Sequence, residues 1–369
     1  MRRARHLFEQ VASFEALWLA SRRARRGKRR SAGTAMFEHH LERELLRLER
    51  ELNAGTFRFS GYRSFEIREP APRVIRAAPY RDRVVHHALC AQLEPLLERG
   101  MIEDSYACRV GKGTHAALAR VERFMRGGGW VVKLDVRKYF YAIDHAILLA
   151  QLERRVADPR VMALVRQLLE TYDASGELAY PMPGSAGDEV PRPRGLPIGN
   201  LTSQLFANAF LTPVDRFIKD ELRVRRYVRY MDDLVLIAPD RETARRWLSE
   251  LIPRLLEIRL LPHPRKTQIL PARNGVRFLG FHVYPHGRRI LRGNLQRFAR
   301  RMRARASRVR AGRLGMTRVE RSLMAWLGFA GLERHRAFLN AVLASLPFQP
   351  GDAMLPRTFW FPEAQHGEG

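Results

Sequence analysis

The chain has 369 residues, of which 46% are hydrophobic, so it can bury a large core. Its 66 Lys and Arg residues outnumber its 38 Asp and Glu residues, which gives a formal net charge of +28. This surplus excludes an ordinary neutral metabolic enzyme as the default and predicts a polyanionic partner, with nucleic acid first and an anionic membrane surface second. Two cysteines are too few for a disulfide framework or a cysteine-based zinc cluster.

The hydropathy pattern does not predict a membrane protein. The sequence contains no run of 18 apolar residues. The N-terminus is basic, but the apolar stretch of a signal peptide does not follow it. We therefore expect a cytoplasmic or nucleoid-associated protein that does not engage a membrane.

The first hundred residues are dominated by helical periodicity, in which apolar residues recur every three or four positions. A basic loop with six Arg and one Lys spans residues 22–30. Alternating residues that give way to prolines are typical of a strand followed by a turn. The patterns predict helices over 7–22, 37–52 and 82–100 and a strand over 57–67.

Strands and helices alternate irregularly through the rest of the chain. Further strands are predicted at 130–136, twice within 227–238 and twice within 274–291, and helices at 145–172, 200–222 and 242–256. Residues 173–195 are rich in Gly, Pro, Ser and Asp and are predicted to form a loop. Without a regular strand–helix–strand rhythm, the pattern favours an α+β fold over a doubly wound sheet.

The region after the last strands is strongly basic. Residues 288–313 contain eleven arginines and few acids, and apolar helical segments continue to about 345. A solvated helix face is the simpler interpretation, but charges this dense repel one another. We therefore expect basic helices that lie along a nucleic-acid backbone.

Three aspartates stand where predicted strands end. Asp232 and Asp233 lie at a turn between apolar strand residues, and Asp135 ends the apolar run 130–134. Asp-Asp by itself is common in solvated turns. Three carboxylates on adjacent strand ends, however, would bind two hard cations, which can activate a 3′-hydroxyl and stabilise a pyrophosphate leaving group.

At these residues the sequence resembles the reverse transcriptases. Asp135 lies in a segment, 134–140, that resembles the first metal-binding motif of the family, and Tyr230-Met231-Asp232-Asp233 resembles the second. Other blocks similar to family motifs fall in the family's order over roughly residues 10 to 340. These blocks are 72–75, 80–85, 105–109, 195–204, 263–267 and 278–281.

The resemblance implies a right-hand polymerase with fingers, an antiparallel palm sheet and a helical thumb. We expect an N-terminal helical extension at 1–56, fingers and palm at 57–285, a basic thumb at 286–345 and a tail at 346–369. The implied activity is RNA-directed DNA synthesis with two Mg²⁺ ions, for which Mn²⁺ can substitute. The implied partners are template RNA, the RNA/DNA hybrid and dNTP substrates.

The resemblance also assigns roles to single residues. Asp135, Asp232, Asp233 and the backbone carbonyl of Val136 would bind the metals, and Lys266 would act as a general acid or stabilise the pyrophosphate. The remaining candidates would form the nucleotide pocket. They are Arg73 and Arg81 at the triphosphate, Phe140 beneath the sugar, and Ile198, Gly199, Ser203 and Gln204 near the template and the incoming nucleotide.

The block around Ile198 narrows the subtype. Intron reverse transcriptases usually carry Gln-Gly and Ser-Pro where this chain has Ile198-Gly199 and Ser203-Gln204. The form found here resembles the reverse transcriptases of diversity-generating retroelements. That resemblance implies error-prone copying of a dedicated structured RNA and a small basic accessory protein that forms an oligomer. An apolar side chain at Ile198 removes a polar contact near the templating pair, and our hypothesis is that it loosens base discrimination.

Three alternatives remain open. An antiphage-defence reverse transcriptase would make cDNA from a noncoding RNA or add nucleotides without a template. A catalytically silent RNA-binding module would retain the fold alone, although the intact set of three aspartates argues against it. An intron maturase is disfavoured by the same Ile198 block.

Overall fold

The computed structural model describes residues 3–29, 31–67, 72–177, 192–331 and residue 341. The chain divides into two units, Met1–Asn274 and Gly275–Gly369. The predicted tail at 346–369 and most of the predicted loop at 173–195 lie outside the described residues. Among the helices that are described, none is long and apolar enough to cross a membrane.

The first unit begins with four helices, of which the first three pack on a long helix, α5. They are α1 (Phe8–Ala12), α2 (Phe14–Ala24), α3 (Ala32–His39) and α4 (Leu41–Asn53), and α5 covers Tyr80–Glu98. The single helix predicted at 7–22 is divided because Ser13 is extended and its side chain caps α2. The predicted extension at 1–56 is therefore packed into the first unit.

A two-stranded antiparallel hairpin precedes α5. Its strands are β1 (Arg63–Ile67) and β2 (Arg73–Ala77), with Ile67 opposite Arg73. Every residue of β1 is exposed. The predicted strand at 57–67 is thus present only in its second half.

The centre of the first unit is a four-stranded antiparallel sheet in the order β4-β5-β3-β6. Its strands are β3 (Trp130–Asp135), β4 (Tyr227–Tyr230), β5 (Asp233–Ala238) and β6 (Gln268–Pro271). The helices α6 (Thr114–Met125) and α12 (Arg241–Glu257) pack on it. The apolar runs predicted as strands are buried here, because helices cover the sheet.

Several helices connect β3 to β4. They are α7 (Tyr139–Ala142), α8 (His145–Glu153), α9 (Pro159–Glu170), α10 (Leu201–Phe210) and α11 (Thr212–Arg216), followed by a π-helical turn at Phe217–Glu221. The helix predicted at 145–172 is interrupted because Asp158 caps α9 and Pro159 begins it.

The second unit contains an antiparallel three-stranded sheet and two helices. They are β7 (Val276–Phe278), β8 (Phe281–Tyr284), β9 (Gly287–Ile290), α13 (Arg292–Arg310) and α14 (Met316–Ala330). The rings of Phe298 and Trp326 stack at 3.8 Å, and Phe281 lies 5.0 Å from Phe329. The sheet shares a core with these helices, and the chain divides into its two units after Asn274. The boundary between palm and thumb at 285 stays a prediction. Two strands were predicted here and three are present.

Candidate active site

Sheet pairing brings the three aspartates together. In the antiparallel pair β3–β5, Asp135 is directly opposite Asp233. Tyr230 pairs with Asp233 in the next ladder, which leaves Met231 and Asp232 as a two-residue hairpin loop. Met231 has φ 55°, a left-handed conformation that costs a non-glycine residue about 1 kcal/mol or more.

Backbone hydrogen bonds join this hairpin loop to the segment that follows β3. The Val136 N–H donates to the Asp232 carbonyl at 3.2 Å. The Asp135 carbonyl accepts from the His263 N–H at 2.7 Å. The loop, the end of β3 and the segment before β6 are therefore fixed to one another.

Lysine side chains neutralise two of the carboxylates. Lys266 Nζ lies 3.0 and 3.1 Å from the two carboxylate oxygens of Asp135. Lys133 Nζ lies 3.4 Å from Asp233 Oδ1. Lys266 lies within a tight turn in which the Thr267 N–H and hydroxyl both donate to the His263 carbonyl. The predicted catalytic lysine thus contacts one of the predicted metal ligands.

Burial and repulsion among the carboxylates disfavour the ionised forms of Asp232 and Asp233. Burial, together with the nearby Asp233 and Asp135, raises the pKa of Asp232 to about 7. Burial also raises the pKa of Asp233, although Lys133 opposes the shift. A cation at the site would favour the ionised form of both carboxyl groups.

The donor set fits hard divalent cations by its chemistry. Carboxylate and carbonyl oxygens are the ligands that Mg²⁺ prefers. Asp233 Oδ1 is buried, with the Lys133 ammonium 3.4 Å away. Among the described residues, however, no three His, Cys, Asp or Glu side chains are arranged to hold one ion together. In this structure the carboxylates of Asp135 and Asp233 have lysine ammonium groups as neighbours.

The block 195–204 lies against β2 and α7. The Leu196 N–H donates to the Phe140 carbonyl at 2.7 Å, and the Arg76 N–H donates to the Ile198 carbonyl at 2.9 Å. The Phe140 ring is half-buried. Gly199 has φ 117°, and an added Cβ would stand 2.8 Å from Ile75 Cγ2, so this position requires glycine. These contacts bring Phe140, Ile198 and Gly199 together with the β1–β2 hairpin.

The other pocket candidates are more dispersed. Ser203 is buried in α10. Gln204 lines a cavity together with Cys90 and Cys108, which are not among the predicted pocket residues. The roles of Ser203 and Gln204 at a nucleotide remain predictions.

The two predicted triphosphate arginines are in different settings. Arg73 is an exposed residue at the start of β2. Arg81 forms an ion pair with Glu51 and stacks on Phe57, so its guanidinium is already engaged within the protein. This arrangement favours Arg73 over Arg81 as the predicted triphosphate ligand.

Arg229 was missed by the sequence analysis. It immediately precedes Tyr230 on β4 and is fully buried. Its guanidinium pairs with the equally buried Asp215. A single arginine is not conspicuous in a sequence so rich in arginine. Its position inside the apolar run 227–238, however, could have indicated that it is buried.

An antiparallel sheet with acidic residues at its strand ends, flanked by helices, places the chain in the class of right-hand polymerases. The family model described as reverse transcriptase (RNA-dependent DNA polymerase) matches residues 68–283. The chain belongs to this family, and its predicted α+β fold class is confirmed. Reverse transcriptase domains generally use divalent metal ions.

Known relatives include bacterial and intron-encoded proteins. Protein YkfC of Escherichia coli is 25% identical over 241 residues, covering 55% of this chain and 61% of YkfC. The group II intron-encoded protein LtrA of Lactococcus lactis is 23% identical over 181 residues, covering 48% of this chain and 28% of LtrA. The chain is thus similar to group II intron-encoded proteins. The chain spans less than two thirds of the length of these relatives.

A solved structure is also similar. The apo telomerase of Candida tropicalis, truncated from its C-terminal domain, shares 12% identity with a TM-score of 0.45. The similarity covers 63% of this chain and 55% of the telomerase chain. At that level it adds nothing to the family assignment.

Proposed function

We propose that the protein is an RNA-directed DNA polymerase that copies a dedicated structured RNA into cDNA. The observation that carries this proposal is the pairing of Asp135 with Asp233 across β3–β5, with Asp232 in the adjoining turn. This arrangement lies within the segment that belongs to the reverse transcriptase family. Template RNA, the RNA/DNA hybrid and dNTPs are the proposed partners.

Asp135, Asp232, Asp233 and the Val136 carbonyl would hold two Mg²⁺ ions. The ions would supply activation of the primer 3′-hydroxyl and stabilisation of the pyrophosphate. Lys266 contacts Asp135 and would be freed to give a proton to, or pair with, the leaving phosphate. Phe140 would exclude the 2′-hydroxyl, and Arg73 would grip the triphosphate in a bidentate fork.

The subtype we propose is the diversity-generating retroelement, in which error-prone cDNA replaces a target sequence. The sequence Ile198-Gly199 supports it, because it lacks the amide of the intron pattern. The Ile198 carbonyl is held by the Arg76 N–H, so the position is fixed by backbone contacts that do not depend on its side chain. A small basic accessory protein that forms an oligomer is part of this proposal.

Primer extension on an RNA template with dNTPs and Mg²⁺ tests the activity. The variant Asp232→Ala/Asp233→Ala should lose synthesis, because it removes two metal ligands. Asp240→Asn is a matched control, since Asp240 is an exposed cap of α12 and Asn can also cap a helix. If the double variant extends primers like the wild type, these carboxylates are not the catalytic centre.

Sequencing the products tests the subtype. Errors concentrated opposite template adenines would support the retroelement proposal, and Ile198→Gln should then lower them. An unchanged error spectrum in Ile198→Gln would refute the proposed role of this side chain. Products made without added RNA would favour the defence alternative, and RNA binding without synthesis would favour the silent module.

A further inference from the structure

A fully buried ion pair lies directly behind the turn that carries Asp232 and Asp233. Arg229 Nε lies 2.8 and 3.0 Å from the two oxygens of Asp215, and Nη2 lies 2.7 Å from Asp215 Oδ2. The Tyr227 hydroxyl donates to Asp215 Oδ1 at 2.7 Å. Arg229, Asp215 and Tyr227 all have 0% exposure.

The Arg229 guanidinium also contacts the hairpin loop formed by Met231 and Asp232. Arg229 Nη1 donates to the Met231 carbonyl at 3.2 Å. Met231 is the residue of the turn in the left-handed conformation. A charged donor on its carbonyl therefore acts on the strained peptide immediately before Asp232.

The other side of the guanidinium is held by α10. Arg229 Nη1 donates to Asn208 Oδ1 at 3.0 Å, and Nη2 donates to the Asn208 carbonyl at 3.1 Å. The Asn208 amide in turn donates to the Ala107 carbonyl at 2.6 Å. One rigid fork thus joins α10, α11 and the turn, which a lysine with a single ammonium could not do.

The backbone of Arg229 is anchored as well. Its N–H donates to the Asp104 carbonyl at 2.9 Å, and its carbonyl accepts from the Tyr106 N–H at 3.0 Å. Asp104 is itself held by Arg120 Nε at 2.6 Å. The edge of β4 is therefore covered, and the Arg229 side chain leaves from a fixed point.

We propose that Arg229 is a positioning residue for polymerisation: its fork between Asp215, Asn208 and the Met231 carbonyl fixes the turn in the geometry that lets Asp232 and Asp233 bind metal. The inference rests on the proposed function of this turn. Buried ion pairs are weak contributors to stability, because well-packed apolar residues often replace them without loss. Replacing the pair can therefore change the geometry of the turn without an equal loss of stability.

The test uses two variants and one control. Arg229→Lys keeps the charge but loses the fork. Arg229→Met/Asp215→Leu removes both charges and replaces the pair with apolar side chains. Leu45→Ala, on the buried face of α4, is the control that destabilises the protein without touching the turn.

Three readouts are compared for each protein: the melting temperature, kcat and KM for dNTP, and Mn²⁺ binding followed by electron paramagnetic resonance without substrate. Both Arg229 variants should lower kcat by about 10- to 100-fold, because small misplacement of catalytic groups has effects of that size. Both should also weaken Mn²⁺ binding, with little change in KM. Leu45→Ala should lower only the melting temperature.

Wild-type kcat and Mn²⁺ binding in either Arg229 variant would overturn the inference. So would an equal loss in Leu45→Ala at the same loss of thermal stability. If the apolar pair does not fold, Arg229→Lys decides. A wild-type protein that binds Mn²⁺ but never synthesises DNA would count against the proposed function, while the binding comparison would still test Arg229.

Discussion

At the scale of single residues, charged side chains at or within apolar runs are the most informative feature of the sequence. Asp135, Asp232 and Asp233 were identifiable because carboxylates at the ends of buried runs are unusual, and the structure pairs the strands that carry them. Lys266 was expected at a leaving phosphate and contacts Asp135. The partners of Arg229 were not identifiable, because they come from distant segments, as Asn208 and Asp215 do.

His86 illustrates a residue whose protonation is set by packing. It lies in α5 with Nδ1 2.9 Å from the Thr202 hydroxyl. Burial, with smaller effects from His87 and Arg83, lowers its pKa from 6.5 to about 3. The unfolded chain therefore binds a proton below pH 6.5 that the folded protein refuses, so stability falls as the pH falls from 6.5 towards 3.

We predict that His86→Gln reduces this acid sensitivity. Between pH 7.5 and 5.5 the histidine should cost the folded wild type about 1.4 kcal/mol of unfolding free energy. Urea unfolding of both proteins at the two pH values measures the difference. His286→Gln, at an exposed histidine, is the control and should behave like the wild type. Equal acid sensitivity in His86→Gln and the wild type would show that His86 does not contribute.

At the scale of elements, helices and strands with clear periodicity were predictable and their interruptions were not. The helix predicted at 145–172 is interrupted by a cap at Asp158, and β6 was missed because it is short and only half-buried. A strand of this kind has little apolar pattern of its own and forms because it pairs with β3. Local sequence records propensity, whereas capping and edge pairing depend on distant partners.

Asp158 joins two elements that are far apart in sequence. One carboxylate oxygen accepts from the Leu7 and Phe8 N–H groups at 2.8 and 2.9 Å, and the other accepts from Arg160 and Val161 at 3.0 and 3.2 Å. Although burial raises the pKa of Asp158, these hydrogen bonds lower it below its ordinary value. The carboxylate therefore fixes the start of α1 to the start of α9.

Asp158→Ala should lower the free energy of unfolding by about 2 to 3 kcal/mol, because it removes a helix cap and leaves buried N–H groups without partners. Chemical denaturation measures the loss. Asp240→Ala is the matched control: it removes a cap at the exposed start of α12, and should cost about 1 kcal/mol. Equal losses in the two variants would contradict the long-range role of Asp158.

At the scale of the whole molecule, the net charge of +28 favours association with polyanions. The prediction of basic helices after the sheet corresponds to α13, whose buried face is formed by Phe298, Met302 and Ala306. Arg301 and Arg308 of the same helix are exposed. Exposed positive charge on one helix favours contact with a phosphate backbone.

We predict that affinity for an RNA/DNA hybrid falls steeply with salt and that α13 contributes to the slope. Removing two phosphate contacts with Arg301→Gln/Arg308→Gln should reduce the slope of log affinity against log salt by about two. Fluorescence anisotropy across a salt series measures it. The pair Arg245→Gln/Arg246→Gln removes equal charge from exposed positions on α12 and should change the slope less. Equal changes would mean that only net charge matters.

The ladder between β3 and β5 has a consequence for how the chain can vary. Side chains alternate between the two faces of a strand, so a shift of one residue would send Asp135 and Asp233 to opposite sides of the sheet. The proximity of these two carboxylates therefore depends on the register of β3 against β5. Insertions in the segments between β3 and β5 leave this alignment intact. One residue inserted within β3 or β5 that shifts the ladder would separate these carboxylates without changing either side chain.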